Sequence, residues 1–144
     1  MTKLILNGKV NLNRTASKFS ILINENKKIF AKYFGVDLFP GSLNIIVDNP
    51  PDLQENLDKG IPTPDFTIPR DELVGMPAYI GAGQTWSCKL KCGKFKKDIN
   101  CWVFRRIGSR VPRGVIEIVS DLELVKPNGL CNGDDISIEF NQWI

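Results

Sequence analysis

No histidine occurs among the 144 residues. Its absence removes Ser-His-Asp and Cys-His nucleophilic machinery, histidine metal sites and the usual general base, so any catalysis must run on carboxylates, backbone dipoles, Lys or Arg, or a hard metal ion. Also missing is any apolar run near the roughly 18 residues a spanning helix needs. The N-terminal stretch MTKLILNGKV is too short and too quickly polar for a signal peptide, so a soluble, cytoplasmic protein with no membrane partner is expected. Charge of one sign is scarce: 19 Lys and Arg against 16 Asp and Glu leave a net +3, too little by itself to argue for nucleic acid. Cys88, Cys92, Cys101 and Cys131 contain no C-x-x-C pair, and no histidine can complete a set, which speaks against zinc. Reduced thiols are the default for a cytosolic chain of this size.

What is present points to β structure. Hydrophobic residues make up 42% and charged residues 24%, enough for one core, so 1-144 reads as a single domain. Twelve Gly, nine Pro and short apolar runs rich in Ile, Val and Phe favour many short strands joined by turns. Strand candidates are KLILNGKVNL, FSILI, TWSCKL, NCWVFRRI, GVIEIVSDLEL and DISIEF, the last alternating Ile136, Ile138 and Phe140 against Ser137 and Glu139. The polar stretch NRTASK between the first two is expected to be a loop. In NENKKIFAKYFG, Ile29, Phe30, Tyr33 and Phe34 recur at helical spacing before Gly35, which predicts a short helix over about 25–34 packed on the strands. From Asn49 to Pro77 the prolines at 50, 51, 62, 64, 69 and 77 predict a long surface excursion with one edge strand, of a length that suits a lid over a site.

The stretch LFPGSLNII, residues 38–46, carries the candidate chemistry. If the chain is extended after Gly41, Leu43 and Ile45 point to the core while Ser42 and Asn44 share the other face. A hydroxyl and an amide carbonyl suit Mg²⁺, but as neutral ligands they hold it well only when a ligand brings anionic phosphates. The same local pattern also fits a Pro-Gly turn capped by Ser42, with Asn44 facing water. Glu117 in GVIEIVS is a lone carboxylate in an apolar strand, open to a solvated position or to a role in a pocket. The lysines from Lys89 to Lys97, with Phe95 among them and Trp86 and Trp102 nearby, read as a solvated hairpin tip rather than a nucleic-acid footprint. GAGQ, residues 81–84, lacks a following helix pattern and reads as a turn.

Taken together the motifs resemble a known family. FPGSLNIIVD resembles the PGTLN signature of the archaeal-type CTP-dependent riboflavin kinases, with Ser42 where that family has Thr. GKVNLNRTASKF resembles its G-x-V-x-x-G-x-G-x-x-x-F/Y segment, VIEIV its IEI strand and LCNGDDISI its L-x-x-G-D-x-V-x-I ending. The pieces run in order along nearly the whole chain. The resemblance implies a mainly β fold, a six-stranded cradle-loop-type β-barrel with one short helix and the long Pro-rich loop. It implies a phosphotransferase that moves the terminal phosphate of a nucleoside triphosphate, CTP by family expectation, to the 5′-hydroxyl of riboflavin, giving FMN. By the same carry-over Ser42 and Asn44 bind Mg²⁺; Asn13, Arg14, Thr15, Ala16, Ser17, Lys18 and Leu124 bind the nucleotide; Ser109 and Glu117 contact the flavin, with Glu117 as general base. The partners are then riboflavin or FMN and a nucleotide, and a monomer is expected. The departures are specific: Asn13, Thr15 and Ser17 replace glycines of the nucleotide loop, and the family's L-R reads Leu124-Val125. They motivate a second reading, a flavin- or nucleotide-binding module that has lost turnover.

Overall fold

The computed structural model describes residues 3–12, 17–48, 53–75, 81–108 and 114–143. In chain order its elements are β1 (Lys3–Asn11), α1 (Ser17–Glu25), α2 (Lys27–Phe34), β2 (Leu43–Val47), α3 (Leu53–Asp58), β3 (Phe66–Ile68), β4 (Gly83–Lys91), β5 (Ile99–Arg106), β6 (Val115–Val119) and β7 (Asp135–Trp143). A 3₁₀ turn, Arg70–Glu72, follows β3. All strand pairings are antiparallel, in the order β3-β4-β5-β6-β2-β1-β7, and β7 pairs back onto β4. Six strands thus close a barrel-like ring and β3 hangs on its side. The arrangement is possible because β4 divides one edge between two partners: Gly83 to Thr85 face β3, while Cys88 to Lys91 face β7.

Alternation decides which side chains fill the ring. Val10, Leu43, Ile45, Val47, Trp86, Ile116, Ile118, Ile138 and Phe140 all point inward and form one buried cluster. At roughly 25 cal/mol per Å² of apolar surface removed from water, this cluster is the main stabilising feature of the ring. A second cluster lies outside it, where Trp102, Phe104 and Val119 receive Phe19, Leu22, Ile23, Phe30 and Phe34 from α1 and α2. Phe104 meets Phe19 and Phe30 edge-on, with ring centroids 5.5 and 5.8 Å apart.

Three expectations need correction. FSILI is not a strand but most of α1, because its buried residues Phe19, Leu22 and Ile23 recur at 3 and 4 positions while Ile21 stays 55% exposed, a helical rather than a two-residue period. The count of one short helix likewise becomes three among the described residues. The Pro-rich excursion holds α3 as well as the expected edge strand β3, and Leu57 and Ile68 are its fully buried anchors. The helix expected over 25–34 is α2, closed by Gly35 in the left-handed conformation with its N–H on the Ala31 carbonyl. Asn26, buried between α1 and α2, donates to Leu22 and Val74 carbonyls and accepts from the Val74 N–H, tying the helices to the end of the excursion. GAGQ is not a turn, since Gly83 and Gln84 begin β4. All four cysteines are free thiols, and the hydrogen bond with Cys88, its Sγ 3.5 Å away, followed by burial, pushes the Cys101 thiol up.

Candidate functional site

Three neighbouring strands place three polar side chains in one row. Asn44 of β2 lies directly opposite Asn11 of β1 on one side and Glu117 of β6 on the other. Side chains of directly paired residues share a face about 5 Å apart, and this face is the outer one, because Leu43, Ile45, Val10, Ile116 and Ile118 take the inside. Asn44 is 4% exposed, and its Oδ1 is buried with no hydrogen-bond partner. An orphaned carbonyl oxygen costs about 1–3 kcal/mol, so this oxygen does not stabilise the fold. A neutral, oxygen-only donor of this kind fits a hard cation such as Mg²⁺.

Ser42 precedes β2 and lines a cavity of about 90 Å³ together with Phe39, Leu43, Ile118, Ser120, Glu123, Leu124 and Val125. The corner leading to it is held by the Phe39 N–H, which donates to the Ser120 carbonyl at 2.8 Å. Leu124, buried at 6% exposure, lines the same cavity. The structure therefore brings Ser42 to Leu124 and Asn44 to Glu117. Glu117 also lines a narrow cleft between β5 and β6, with Arg105, Arg106 and Leu57. This cleft follows from a short ladder: β5 and β6 pair at Trp102 with Val119 and Val103 with Ile118, whereas β5 runs on to Arg106.

Other expected site residues are placed less fully. Asn13, Arg14, Thr15, Ala16 and Ser109 lie outside the described residues, and of Ser17 and Lys18 only the backbone is described, as the opening of α1. The loop expected over 13–18 does not include Ser17 and Lys18, which open α1. The lysine-bearing hairpin is partly engaged: Lys94 donates to the Gly129 carbonyl at 2.9 Å and pairs with Asp134 at 2.8 Å. Lys91 lies 3.8 Å from both Asp98 and Glu139. No group of three or more Cys, Asp or Glu suited to a metal occurs among the described residues, and a Ser-Asn pair is not a set of that type.

Asn11 and Glu123 were not among the expected site residues. Asn11 was legible in principle, because Val10 inward puts Asn11 outward at the end of β1. Glu123 was not, since it follows β6 in irregular chain and only folding carries it to the cavity that Ser42 lines.

The family model described as a domain of unknown function, DUF120, and labelled CTP-dependent riboflavin kinase, matches residues 15–140. No curated protein matches the chain. The matched span takes in α1, the row of β2 and β6 and the whole cavity wall, and it covers most of the sequence. The chain belongs to the CTP-dependent riboflavin kinase family.

Proposed function

We propose that this protein phosphorylates riboflavin at its 5′-hydroxyl to give FMN, with CTP as the phosphate donor. The observation that carries the reading is the buried, unpartnered Asn44 Oδ1, in register with Glu117 and one residue beyond the stretch that lines the Ser42 cavity. Ser42 Oγ and Asn44 Oδ1 would hold Mg²⁺, which when bound offsets the negative charge of the phosphates. The segment 13–18, which follows β1 in the chain, would hold the phosphates. Leu124 and its neighbours seat the nucleoside, and Ser109 and Glu117 seat the flavin. The ribityl 5′-oxygen bonds to the terminal phosphorus as the bond to the bridging oxygen breaks. CDP leaves, and the hydroxyl proton passes to the Glu117 carboxylate. Catalysis of this kind comes mostly from positioning and charge neutralisation.

The test is to incubate the pure protein with riboflavin, Mg²⁺ and each of the four common triphosphates and to assay FMN. Product from CTP, lost in Ser42→Ala plus Asn44→Ala, is expected; no FMN from any triphosphate overturns the assignment. A second reading, a binding module without turnover, draws on Val125, which packs its apolar side chain against the core where the family has a cation. Riboflavin or CDP binding without FMN formation would favour it.

A further inference from the structure

Arg106 ends β5 on the wall of the cleft that Glu117 lines. Alternation along β5 decides its side: Val103 belongs to the inner cluster and Phe104 to the outer one, so Arg106 falls on the outer face, the one that carries Glu117. Its place is set by backbone pairing at the other edge of the strand, where Arg106 is in register with Gly83 of β4 and the Ile107 N–H donates to the Ala82 carbonyl at 2.9 Å. The guanidinium lies over the Phe19 ring, 5.5 Å from its centroid. Phe19 is in the first turn of α1, which opens at Ser17, so the cation borders both the Glu117 cleft and the end of α1 that the segment 13–18 enters.

Arg106 is half-buried and forms no ion pair among the described residues. A ring against one face of a guanidinium leaves its edge, with five N–H donors in a rigid fork, open to an oxyanion. Covering Phe19 asks for no charge, since an uncharged side chain such as methionine would shield the ring as well. A guanidinium fixed in a cleft without an anion is arranged for one that arrives with a ligand, and its fork matches phosphate oxygens two at a time. In the kinase reading Glu117 takes the proton of the ribityl 5′-hydroxyl, so the phosphorus that bonds to that oxygen enters the cleft Arg106 lines.

We propose that Arg106 grips the phosphoryl group in transit, neutralising charge on its oxygens as the 5′-oxygen bonds to phosphorus and the bond to the bridging oxygen breaks, and then holds the phosphate of the product FMN. The guanidinium keeps its protons throughout and acts by charge and hydrogen bonds alone. The inference rests on the kinase reading above and adds to it a cation that neither β2 nor the segment after β6 supplies.

The experiment measures riboflavin and FMN affinities by calorimetry, kcat and KM for FMN formation with CTP and Mg²⁺, and melting curves, for the wild-type chain, Arg106→Met, Arg106→Gln and Arg106→Lys. Methionine keeps an apolar stem over Phe19 and removes the charge; glutamine removes it with a polar side chain, should the first variant not fold. Both should bind riboflavin as the wild type does, lose about tenfold or more in affinity for FMN and drop kcat by about a hundredfold or more with the KM for riboflavin unchanged. Arg106→Lys, a point charge without the fork, should recover part of each loss. An unchanged FMN-to-riboflavin affinity ratio together with an unchanged kcat, whatever the Tm, makes Arg106 a cover for Phe19 and overturns its phosphate role while leaving the kinase reading intact. If the wild type forms no FMN the kinase reading fails, and the phosphate site then stands only if charge removal still lowers the affinity ratio. No binding of riboflavin or FMN overturns both.

Discussion

Asn44→Leu separates a structural from a functional role for the buried amide. Asn44 is 4% exposed and its Oδ1 has no partner, so the folded chain bears a desolvation penalty of about 1–3 kcal/mol there. Leucine has nearly the same shape, removes the orphaned oxygen and adds apolar contact. The variant should then be more stable by about 1–3 kcal/mol, which for a domain of this size raises Tm by roughly 3–10 °C. It should at the same time lose Mg²⁺-dependent CDP binding and FMN formation. Urea and thermal unfolding of both proteins, alone and with Mg²⁺ and CDP, read the two effects separately: the ligand-induced rise in Tm expected of the parent should vanish in the variant whose unliganded Tm is higher. A variant that is less stable than the parent but still gains stability from Mg²⁺ and CDP would refute the reasoning, because the oxygen would then be serving the fold.

Further outcomes follow from packing and charge. Phe104→Ala should cost about 3–5 kcal/mol in chemical denaturation, since the ring is 2% exposed and contacts Phe19, Phe30 and Phe34, the joint between helices and sheet. Gly8→Ala should be worse than an ordinary surface change and reduce soluble yield, because a Cβ there would clash with the Ile46 carbonyl oxygen of the paired strand. Asp134 accepts from the Cys131 N–H at 2.7 Å and pairs with Lys94; the Lys94 ammonium, first, and that N–H hold its carboxyl below the ordinary 3.8. A lowered pKa in the folded chain adds stability above pH 3.8 that is lost as pH falls through the folded value. Asp134→Asn should therefore be less stable than the parent at neutral pH and show a smaller stability loss between pH 5 and about pH 2, measured by urea unfolding at each pH.

The parts of the fold that were legible in the sequence are those where a local period and the burial face agree. DISIEF alternates, and Ile136, Ile138 and Phe140 are all inside; the α2 pattern ends at a glycine that closes the helix. FSILI misleads because five apolar or small residues fit either period, and what chooses helix is the outer face of Phe104, Val119 and Trp102, distant in sequence, on which Phe19, Leu22 and Ile23 pack. Likewise the Pro-rich stretch predicts an excursion, but not that Leu57 and Ile68 would be drawn into the two cores.

For the site, the sequence by itself determined the kinds of atoms available: no imidazole anywhere, neutral oxygens at Ser42 and Asn44, and ordered segments matching one family. Tertiary structure alone decided their company. Strand register sets Asn44 between Asn11 and Glu117, residues 33 and 73 positions away, and the same β2–β6 pairing, with Leu43 opposite Ile118, brings Leu124 and Glu123 to the cavity that Ser42 lines. Side-chain identity is a local property of the chain, whereas register and closure are fixed by the burial of a whole apolar face, a quantity no single segment contains.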